Sequence, residues 1–580
     1  MQPSAMTAPD SVRLADDLGV DLDSEIAAIS SLLRDDLLSS AGDRLRDARQ
    51  LWPHNLKIYL LEGEWYRRSG RSSDAEACFR AAQDVHPNNP WPSVRLLELL
   101  LAERRTADAC RLFANAIWPS DVPEATRAGL LSRVTTAVAD MTARRQFLEG
   151  LLKGSPIDRF VHLKLAALYF RLRDRSAAQS EFYRAQSLGS LPIESQLLQV
   201  ELLLSLARFE DAYTKARQLV DSYPDRADFA RRAIQTAHLA NRSRDVEALL
   251  HHALERWPRD WLMLFRYNRS LCATKTDRAL FDRLQEHEPA AMSDHRWLFQ
   301  FAVACLRQQQ TRRTLALLDC CLPDGPVVHM AGPLRAALGT LSVDEWRRAR
   351  GVRNDIHADV QIVRVTDARA TVIVLAGAQG GLGYLPPTHV SALLADHPVH
   401  LIHLHDLGNR GFTTGVRAFG SDQASMVAGL KELACDLGGL PVVTMGSSLG
   451  GVAATRLAVQ MQALAAISFA GPVPLGANST QEADDPTLGL GTRGAMSTSV
   501  NQDDLSLVDM IRRTPATRIF QCYGTGYEPD VQAASFLRDL PNATLFPVAG
   551  CADHFVIEHM IANGDFGAVL RRAIQAAPVS

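Results

Sequence analysis

The sequence predicts two architectures in one chain: an all-α solenoid of helical repeats, then an α/β domain with a mostly parallel sheet and helices on both faces. Three observations support this prediction. Prolines recur every 31 to 37 residues through the first 345 residues, and short β-rich runs alternate with helical stretches from Ala358 onward. The chain has 580 residues, which is too long for a single hydrophobic core.

These patterns divide the chain into four segments. Residues 1–20 are predicted to be a flexible N-terminal tail, 21–345 helical repeats, 346–357 a linker, and 358–580 the α/β domain. The linker is placed where the helical periodicity of the first part stops.

The composition argues against several functional classes. The net charge is −3 with both signs interspersed, which predicts no nucleic-acid surface. No apolar run approaches the 18 residues of a membrane span, and the first residues lack the basic and apolar regions of a secretory leader. Nine scattered cysteines, an odd number without a C-x-x-C pair, indicate a reducing compartment. We therefore expect a soluble cytoplasmic protein.

The repeat is clearest in its second unit, where small and aromatic residues alternate at helical spacing. The positions are Tyr59, Gly63, Tyr66, Ala75, Phe79, Ala82 and Pro87. This skeleton resembles the tetratricopeptide repeat, a helix–turn–helix unit. The resemblance implies that the two helices cross closely at Gly63 and Ala75, that Phe79 fills the space between units, and that Pro87 ends the second helix.

The resemblance covers residues 21–345, with about eight or nine units. Such arrays ordinarily bind peptides or proteins on their surface, so we expect a protein partner there. The alternative is that the repeats only stabilise or dimerise the second half of the chain.

The second part of the chain contains a stretch typical of a nucleophile elbow. Three β-branched residues and Met445 lead into Gly446-Ser447-Ser448-Leu449-Gly450, and small residues at helical spacing follow. A strand, a sharp turn and a helix in this order lift the central serine, Ser448, to the edge of a sheet. Glycines on either side remove Cβ atoms where the backbone must close up.

Seven β-rich runs are predicted as strands. They are 360–365, 371–375, 399–404, 442–445, 464–469, 518–522 and 544–548. With the elbow after the fourth run, the chain from about residue 358 resembles an α/β-hydrolase. In that family the nucleophile, the acid and the histidine follow one another along the chain.

The resemblance places the remaining two triad residues after the last two strands. His554 lies in a small-residue loop after the last run, where the family keeps its base. Asp530 follows the preceding run and a glycine turn, and Glu528 is the alternative acid. His559 falls within the final helical region and is not expected to be catalytic.

The family also implies two backbone donors for an oxyanion. One is the N–H of Leu449, at the start of the elbow helix. The other comes from the glycine-rich loop after the second run, where Ala378 is the expected donor and Gln379 the alternative; Ala376 replaces the usual histidine. This loop lacks a complete phosphate-binding motif, so no nucleotide cofactor is expected.

Other polar residues are given structural roles. His403 and His405 alternate on a strand and are followed by Asp406, but the spacing marks no third convergent ligand, so no metal is expected. Cys551 lies outside the elbow and is interpreted as packing, and Ser447 as a local hydrogen-bonding residue. The polar segment 471–507 lies where the family inserts a lid, and it favours a small or polar acyl substrate over a lipid.

Two functions follow from these features. The first is a serine hydrolase acting on ester, thioester or amide bonds, with carboxylic esters preferred, coupled to protein-binding repeats. The second is a non-catalytic scaffold, in which the hydrolase fold is a binding module and the repeats mediate protein–protein interaction.

Overall fold

The computed structural model describes residues 21–116, 118, 122–154, 158–322, 325–348, 352–353, 355, 357–408, 410–472 and 507–575. The chain forms two compact units, Met1–Ser195 and Gln196–Ser580. Each unit contains its own buried apolar clusters. The boundary between them falls within the helical repeats, so the later repeats belong to the same unit as the sheet.

The first unit consists of helices joined by short turns. They are α1 (Leu22–Arg34), α2 (Leu38–Leu51), α3 (Leu56–Arg68), α4 (Ser72–Val85), α5 (Trp91–Ala102), α6 (Thr106–Asn115), α7 (Glu124–Ala137), α8 (Met141–Gly154), α9 (Arg159–Arg171) and α10 (Arg175–Ser187). Side chains of Asn55 and Asp158 accept hydrogen bonds from backbone N–H groups in the first turns of α3 and α9. These caps satisfy donors that a helix start leaves unpaired.

The pair α3 and α4 shows why small residues recur in the repeat. A Cβ atom on Gly63 would lie 2.3 Å from the Phe79 ring, so only glycine allows this contact. Ala75 and Phe79 are both buried, and Pro87 follows two residues after the end of α4.

The second unit begins with the remaining helical repeats. The boundary lies within α11 (Ile193–Ser205), and the helices after it are α12 (Phe209–Ser222), α13 (Ala227–Leu239), α14 (Ser243–Arg256), α15 (Trp261–Arg269), α16 (Thr274–Ala291), α17 (His295–Arg307), α18 (Thr311–Cys321), α19 (Val328–Leu338) and the short α20 (Val343–Trp346). The proline period does not mark every helix end, because Pro289 lies inside α16. Pro119, Pro156 and Pro323 lie outside the described residues.

A seven-stranded sheet follows the repeats. Its strands are β1 (Val360–Val363), β2 (Ala370–Leu375), β3 (Val399–Leu404), β4 (Val442–Ser447), β5 (Ala465–Phe469), β6 (Arg518–Gly524) and β7 (Ala543–Val548). The order across the sheet is β1-β3-β2-β4-β5-β6-β7. Only β1 runs antiparallel, against β3, and all the other pairs are parallel.

Seven helices accompany the sheet in the described part of this domain. They are α21 (Pro387–Leu393), α22 (Gln423–Asp436), α23 (Leu449–Met461), α24 (Leu507–Arg512), α25 (Glu528–Ser535), α26 (Val556–Ala562) and α27 (Asp565–Ile574). The central strands β2 and β5 are buried along their whole length, as expected for strands covered on both faces. The predicted fold class is therefore confirmed: tetratricopeptide-like helix pairs precede an α/β-hydrolase fold.

All seven predicted strands form, with ends that differ by at most two residues. None of the helices in the described part of the chain combines the length and apolar character of a membrane span. Most of the polar segment after Gly471, residues 473–506, lies outside the described residues, so the expectation about a lid stays a prediction.

Candidate functional site

Ser448 occupies the turn between β4 and α23 in a strained backbone conformation. Its φ is 52° and its ψ is −120°, a left-handed region that costs a non-glycine residue about 1–3 kcal/mol. Its N–H donates to the Phe469 carbonyl oxygen at 2.8 Å. A Cβ on Gly446 would lie 2.1 Å from the carbonyl oxygen of Gly450, and one on Gly450 would lie 2.4 Å from that of Leu375. The two glycines therefore allow the turn to close.

The structure brings the three predicted side chains together in one hydrogen-bonded chain. The Ser448 Oγ lies 2.8 Å from His554 Nε2, and His554 Nδ1 lies 2.9 Å from Asp530 Oδ1. The side chains of His554 and Asp530 are 7% and 5% exposed, so water screens their interaction little. Residues separated by 106 positions in the sequence thus meet at the carboxyl end of the parallel strands.

The two candidate acids differ in where their side chains lie. Asp530 is in the first turn of α25 and buried against His554. Glu528, at the first position of the same helix, is exposed and accepts a hydrogen bond from Gln532 at 2.9 Å. The carboxylate at the imidazole is therefore that of Asp530.

The glycine-rich loop after β2 lies directly against the elbow. The Gly383 N–H donates to Ser447 Oγ at 2.7 Å, so Ser447 bonds across to this loop rather than locally. A Cβ on Gly377 would lie 2.8 Å from the Ser447 carbonyl oxygen. The loop turns tightly, with the Gly377 N–H donating to the Gly381 carbonyl oxygen at 2.8 Å.

This arrangement places Ala378 in a turn that touches the elbow. Leu449 begins α23, where the first N–H groups of a helix have no partner within the helix. The two expected oxyanion donors thus belong to neighbouring segments, and Gln379 is part of the same turn as Ala378.

Arg269, the last residue of α15, contacts the glycine-rich loop, which the sequence did not predict. Its Nε donates to the Ala378 carbonyl oxygen at 3.0 Å. A helical repeat therefore holds the loop that carries the expected second oxyanion donor. An arginine at a repeat-helix end carries no distinguishing spacing, so the sequence offered no signal for this role.

Glu558 also contacts the segment after the glycine-rich loop, which the sequence did not predict. It lies in α26, one helical turn beyond His554, with 1% of its surface exposed. Its Oε1 accepts from the Tyr384 N–H at 2.6 Å. Burial raises the pKa of Glu558 to about 8, so the acid is mainly protonated at neutral pH. The tyrosine ring in turn packs 4.6 Å from Phe555, next to the histidine.

His403 is buried and His405 is half-buried, and both rings are uncharged at neutral pH. Burial lowers the pKa of His403 to about 3 and that of His405 to about 4. Among the described residues, one group of possible metal ligands lies elsewhere: Cys551, Asp553 and His559, with donor atoms within 4.8 Å of one another.

The Cys551 thiol in that group is held in its protonated form. It is fully buried and donates to the Asp553 carbonyl oxygen at 3.2 Å. Burial raises its pKa to about 12. His559 lies inside α26, with its Nε2 3.8 Å from Asp553 Oδ2. A protonated thiol is a poor metal ligand and a poor nucleophile, which agrees with a packing role.

Comparison with known proteins adds structural likeness but no close relative. No protein-family model matches the sequence, and no curated protein matches it. PilF from Pseudomonas aeruginosa is 17% identical over 36% of this chain and 94% of its own, with a TM-score of 0.24. The tetratricopeptide domain of P58(IPK) is 14% identical over 57% of this chain and 100% of its own, with a TM-score of 0.18.

A carboxylesterase from the thaumarchaeon Nitrososphaera gargenis is 14% identical over 37% of this chain and 92% of its own, with a TM-score of 0.26. At such identities and TM-scores these likenesses carry no argument about activity. What the site can do must follow from its own geometry.

Proposed function

We propose that the protein is a serine hydrolase that cleaves carboxylic esters, or thioesters and amides by the same chemistry, with small or polar acyl groups. The observation that carries this proposal is the hydrogen-bonded chain from Ser448 through His554 to Asp530 on a strained elbow. A serine hydroxyl becomes a competent nucleophile when a neighbouring base accepts its proton.

In the proposed first step, the Ser448 Oγ attacks the acyl carbonyl carbon while His554 Nε2 takes the hydroxyl proton. Asp530 accepts the Nδ1–H bond, which fixes the imidazole tautomer and stabilises the imidazolium. The tetrahedral intermediate then expels the alkoxide or amine, which takes the proton from His554. This leaves an acyl ester on Ser448.

In the second step, water attacks the acyl-enzyme and gives its proton to His554 Nε2. Collapse of the new intermediate releases the carboxylic acid and returns the proton to Ser448. The negative oxygen of both intermediates would be stabilised by the N–H groups of Leu449 and Ala378, with Gln379 as the alternative to Ala378. Each such donor is worth about 10²–10³ in rate at comparable sites.

We further propose that the repeats over 21–345 bind a protein partner while the part over 358–580 carries the chemistry. All nine cysteines are free, which supports the proposal of a reducing, cytoplasmic compartment. Cross-linking followed by mass spectrometry, on the wild type and on Ser448→Ala, tests whether the repeats bind a protein partner. A partner captured equally by both, on peptides of the repeats, would support separate roles.

Labelling with a fluorophosphonate probe tests the central proposal. The wild type should be labelled on Ser448, and both Ser448→Ala and His554→Ala should lose labelling and ester hydrolysis. Ser447→Ala is the matched control, because it removes the neighbouring hydroxyl and should still be labelled on Ser448. If the folded wild type is not labelled, the scaffold function is favoured instead.

A further inference from the structure

Two arginines in α15, Arg266 and Arg269, are half-buried. Among the described residues, neither Arg266 nor Arg269 forms an ion pair. The Arg266 Nη2 donates to Gln235 Oε1 at 3.2 Å, and the Arg269 Nε donates to the Ala378 carbonyl oxygen at 3.0 Å. Both contacts use only part of a guanidinium that offers five N–H donors.

Other arginines of the same repeats are paired. Arg231 lies against Asp260, and Arg232 lies against Glu201. Burying a cation without a counter-charge is costly, because the lost hydration is not replaced. The pair in α15 therefore differs from these two neighbouring arginines.

The surroundings of the pair also favour an anion. Burial, together with the positive charge of Arg269, lowers the pKa of Arg266 to about 9. His238 lies near both arginines and near His405, and burial lowers the pKa of each histidine to about 4. At neutral pH these two rings are uncharged and can donate or accept hydrogen bonds. We call His238, Arg266, Arg269 and His405 the basic cluster.

The basic cluster shares His405 with a cavity of about 650 Å³. Arg410 and Arg417 also line this cavity, and Asp406 is its acidic lining residue. The Asp406 carboxylate accepts hydrogen bonds from the backbone N–H groups of Gly408, Arg410 and Phe412, so its charge is already compensated. The cavity has a volume typical of small-molecule sites. Arg417 pairs with Asp359 at 3.5 Å, whereas Arg410 donates to the Leu239 carbonyl oxygen and forms no ion pair among the described residues.

The position of the cluster links it to the proposed chemistry. Arg269 touches the turn that carries Ala378, and a Cβ on Gly380 in that turn would lie 3.3 Å from the His405 ring. An anionic group held by Arg266 and Arg269 would thus lie beside the loop expected to bind the acyl oxygen. Arginine is suited to this task because its planar fork binds carboxylate and phosphate through two parallel hydrogen bonds.

We propose that the basic cluster binds a carboxylate or phosphate group carried by the substrate, so that this hydrolase acts on negatively charged acyl esters. This inference rests on the proposed function for its account of turnover. The binding of the anion itself does not depend on turnover and can be tested separately.

The kinetic test compares mono-p-nitrophenyl succinate, which is anionic, with neutral p-nitrophenyl butyrate. The wild type should have the higher kcat/KM for the succinate ester. Arg266→Gln should lower kcat/KM for that ester by about 10- to 100-fold, the value of a hydrogen bond to a charged group, and lower it far less for butyrate. Arg335→Gln removes the same charge from a side chain that is 42% exposed and paired with Asp319, and it serves as the control.

Arg266 is the decisive position because Arg269 also contacts the Ala378 turn and would affect both esters. Arg266→Lys should recover part of the preference, because it restores the charge without the planar fork. The proposal is overturned if the wild type shows no preference for the anionic ester, or if Arg266→Gln lowers kcat/KM for both esters equally.

A binding test separates failure of this inference from failure of the proposed function. In Ser448→Ala, succinate or inorganic phosphate should raise the midpoint of thermal unfolding, and the added change Arg266→Gln should abolish that rise. Comparing the two anions distinguishes a carboxylate from a phosphate ligand. A rise without fluorophosphonate labelling of the wild type would keep the anion site and reject hydrolysis. If neither anion raises the midpoint of thermal unfolding, the anion site is rejected.

Discussion

Replacing Asp530 by Asn tests the chain of hydrogen bonds at its least accessible member. The carboxylate accepts from His554 Nδ1 at 2.9 Å, and both side chains are almost fully buried. An amide of the same shape can present an N–H where the imidazole needs an acceptor, which favours the wrong tautomer. In a buried triad this loss lowers kcat by about 10⁴-fold, or about 5 kcal/mol in the activation free energy.

The assay is kcat for a p-nitrophenyl ester together with the rate of fluorophosphonate labelling, on protein shown to be folded by circular dichroism. Glu528→Gln is the matched control, since Glu528 lies in the same helix but is exposed and bonded to Gln532. It should change kcat by less than about 2-fold. The reasoning is refuted if Asp530→Asn keeps activity within tenfold of the wild type, or if Glu528→Gln loses as much.

Three further predictions concern stability and the elbow. Gly450→Ala should abolish labelling and lower the unfolding midpoint, because its Cβ would lie 2.4 Å from the Leu375 carbonyl oxygen; unchanged labelling would contradict the elbow geometry. Burial lowers the pKa of His389 to about 4, below its value in the unfolded state. Because the unfolded state therefore binds more protons, the free energy of unfolding should fall by about 2 kcal/mol as the pH drops from 7 to 5. Chemical denaturation of His389→Gln at both pH values should show a smaller loss than the wild type. Burial raises the pKa of Glu558 to about 8, so the folded state holds the proton and stability falls as the pH rises from 5 towards 9. Glu558→Gln keeps an acceptor for the Tyr384 N–H and should flatten this decline; an equal decline in both proteins would place the titration elsewhere.

The sequence predicted the parts of the site that depend on order along the chain. Ser448 and His554 each follow a strand of a parallel sheet, and the carboxyl ends of such strands meet at one edge. The order of these residues along the chain therefore predicts that they meet, although they are far apart in the sequence. The seven strands were also recognisable, because β-rich runs between helical stretches form a local pattern.

The choice between the two acids needed the three-dimensional structure. Because α25 begins at Glu528, the side chain of Asp530 is buried and that of Glu528 is exposed to solvent. Sequence patterns do not locate the start of a helix to within two residues, so they cannot decide between these two acids. The helix containing Pro289 shows the same limit, since α16 continues past a residue that usually ends a helix.

Arg269 and Glu558 could not be predicted because their roles arise from contacts between distant segments. Arg269 reaches a backbone carbonyl 109 positions away, and Glu558 accepts from a backbone N–H 174 positions away. A backbone group can bond to any side chain of suitable chemistry, so such contacts impose no pattern on the sequence.

Within the second unit, the late repeats and the sheet domain are joined by polar contacts as well as packing. Asp355 accepts from the Thr274 N–H at 2.9 Å, and the Arg410 Nε donates to the Leu239 carbonyl oxygen at 2.9 Å. The Tyr384 ring meets Phe299 edge-on at 5.1 Å. Removing these repeats would expose buried groups of the sheet domain and leave their hydrogen bonds unmade, which is costly in free energy. The repeats after Gln196 are therefore part of the scaffold of the sheet domain, and a partner that shifts α15 would move Arg269 and, with it, the turn that carries Ala378.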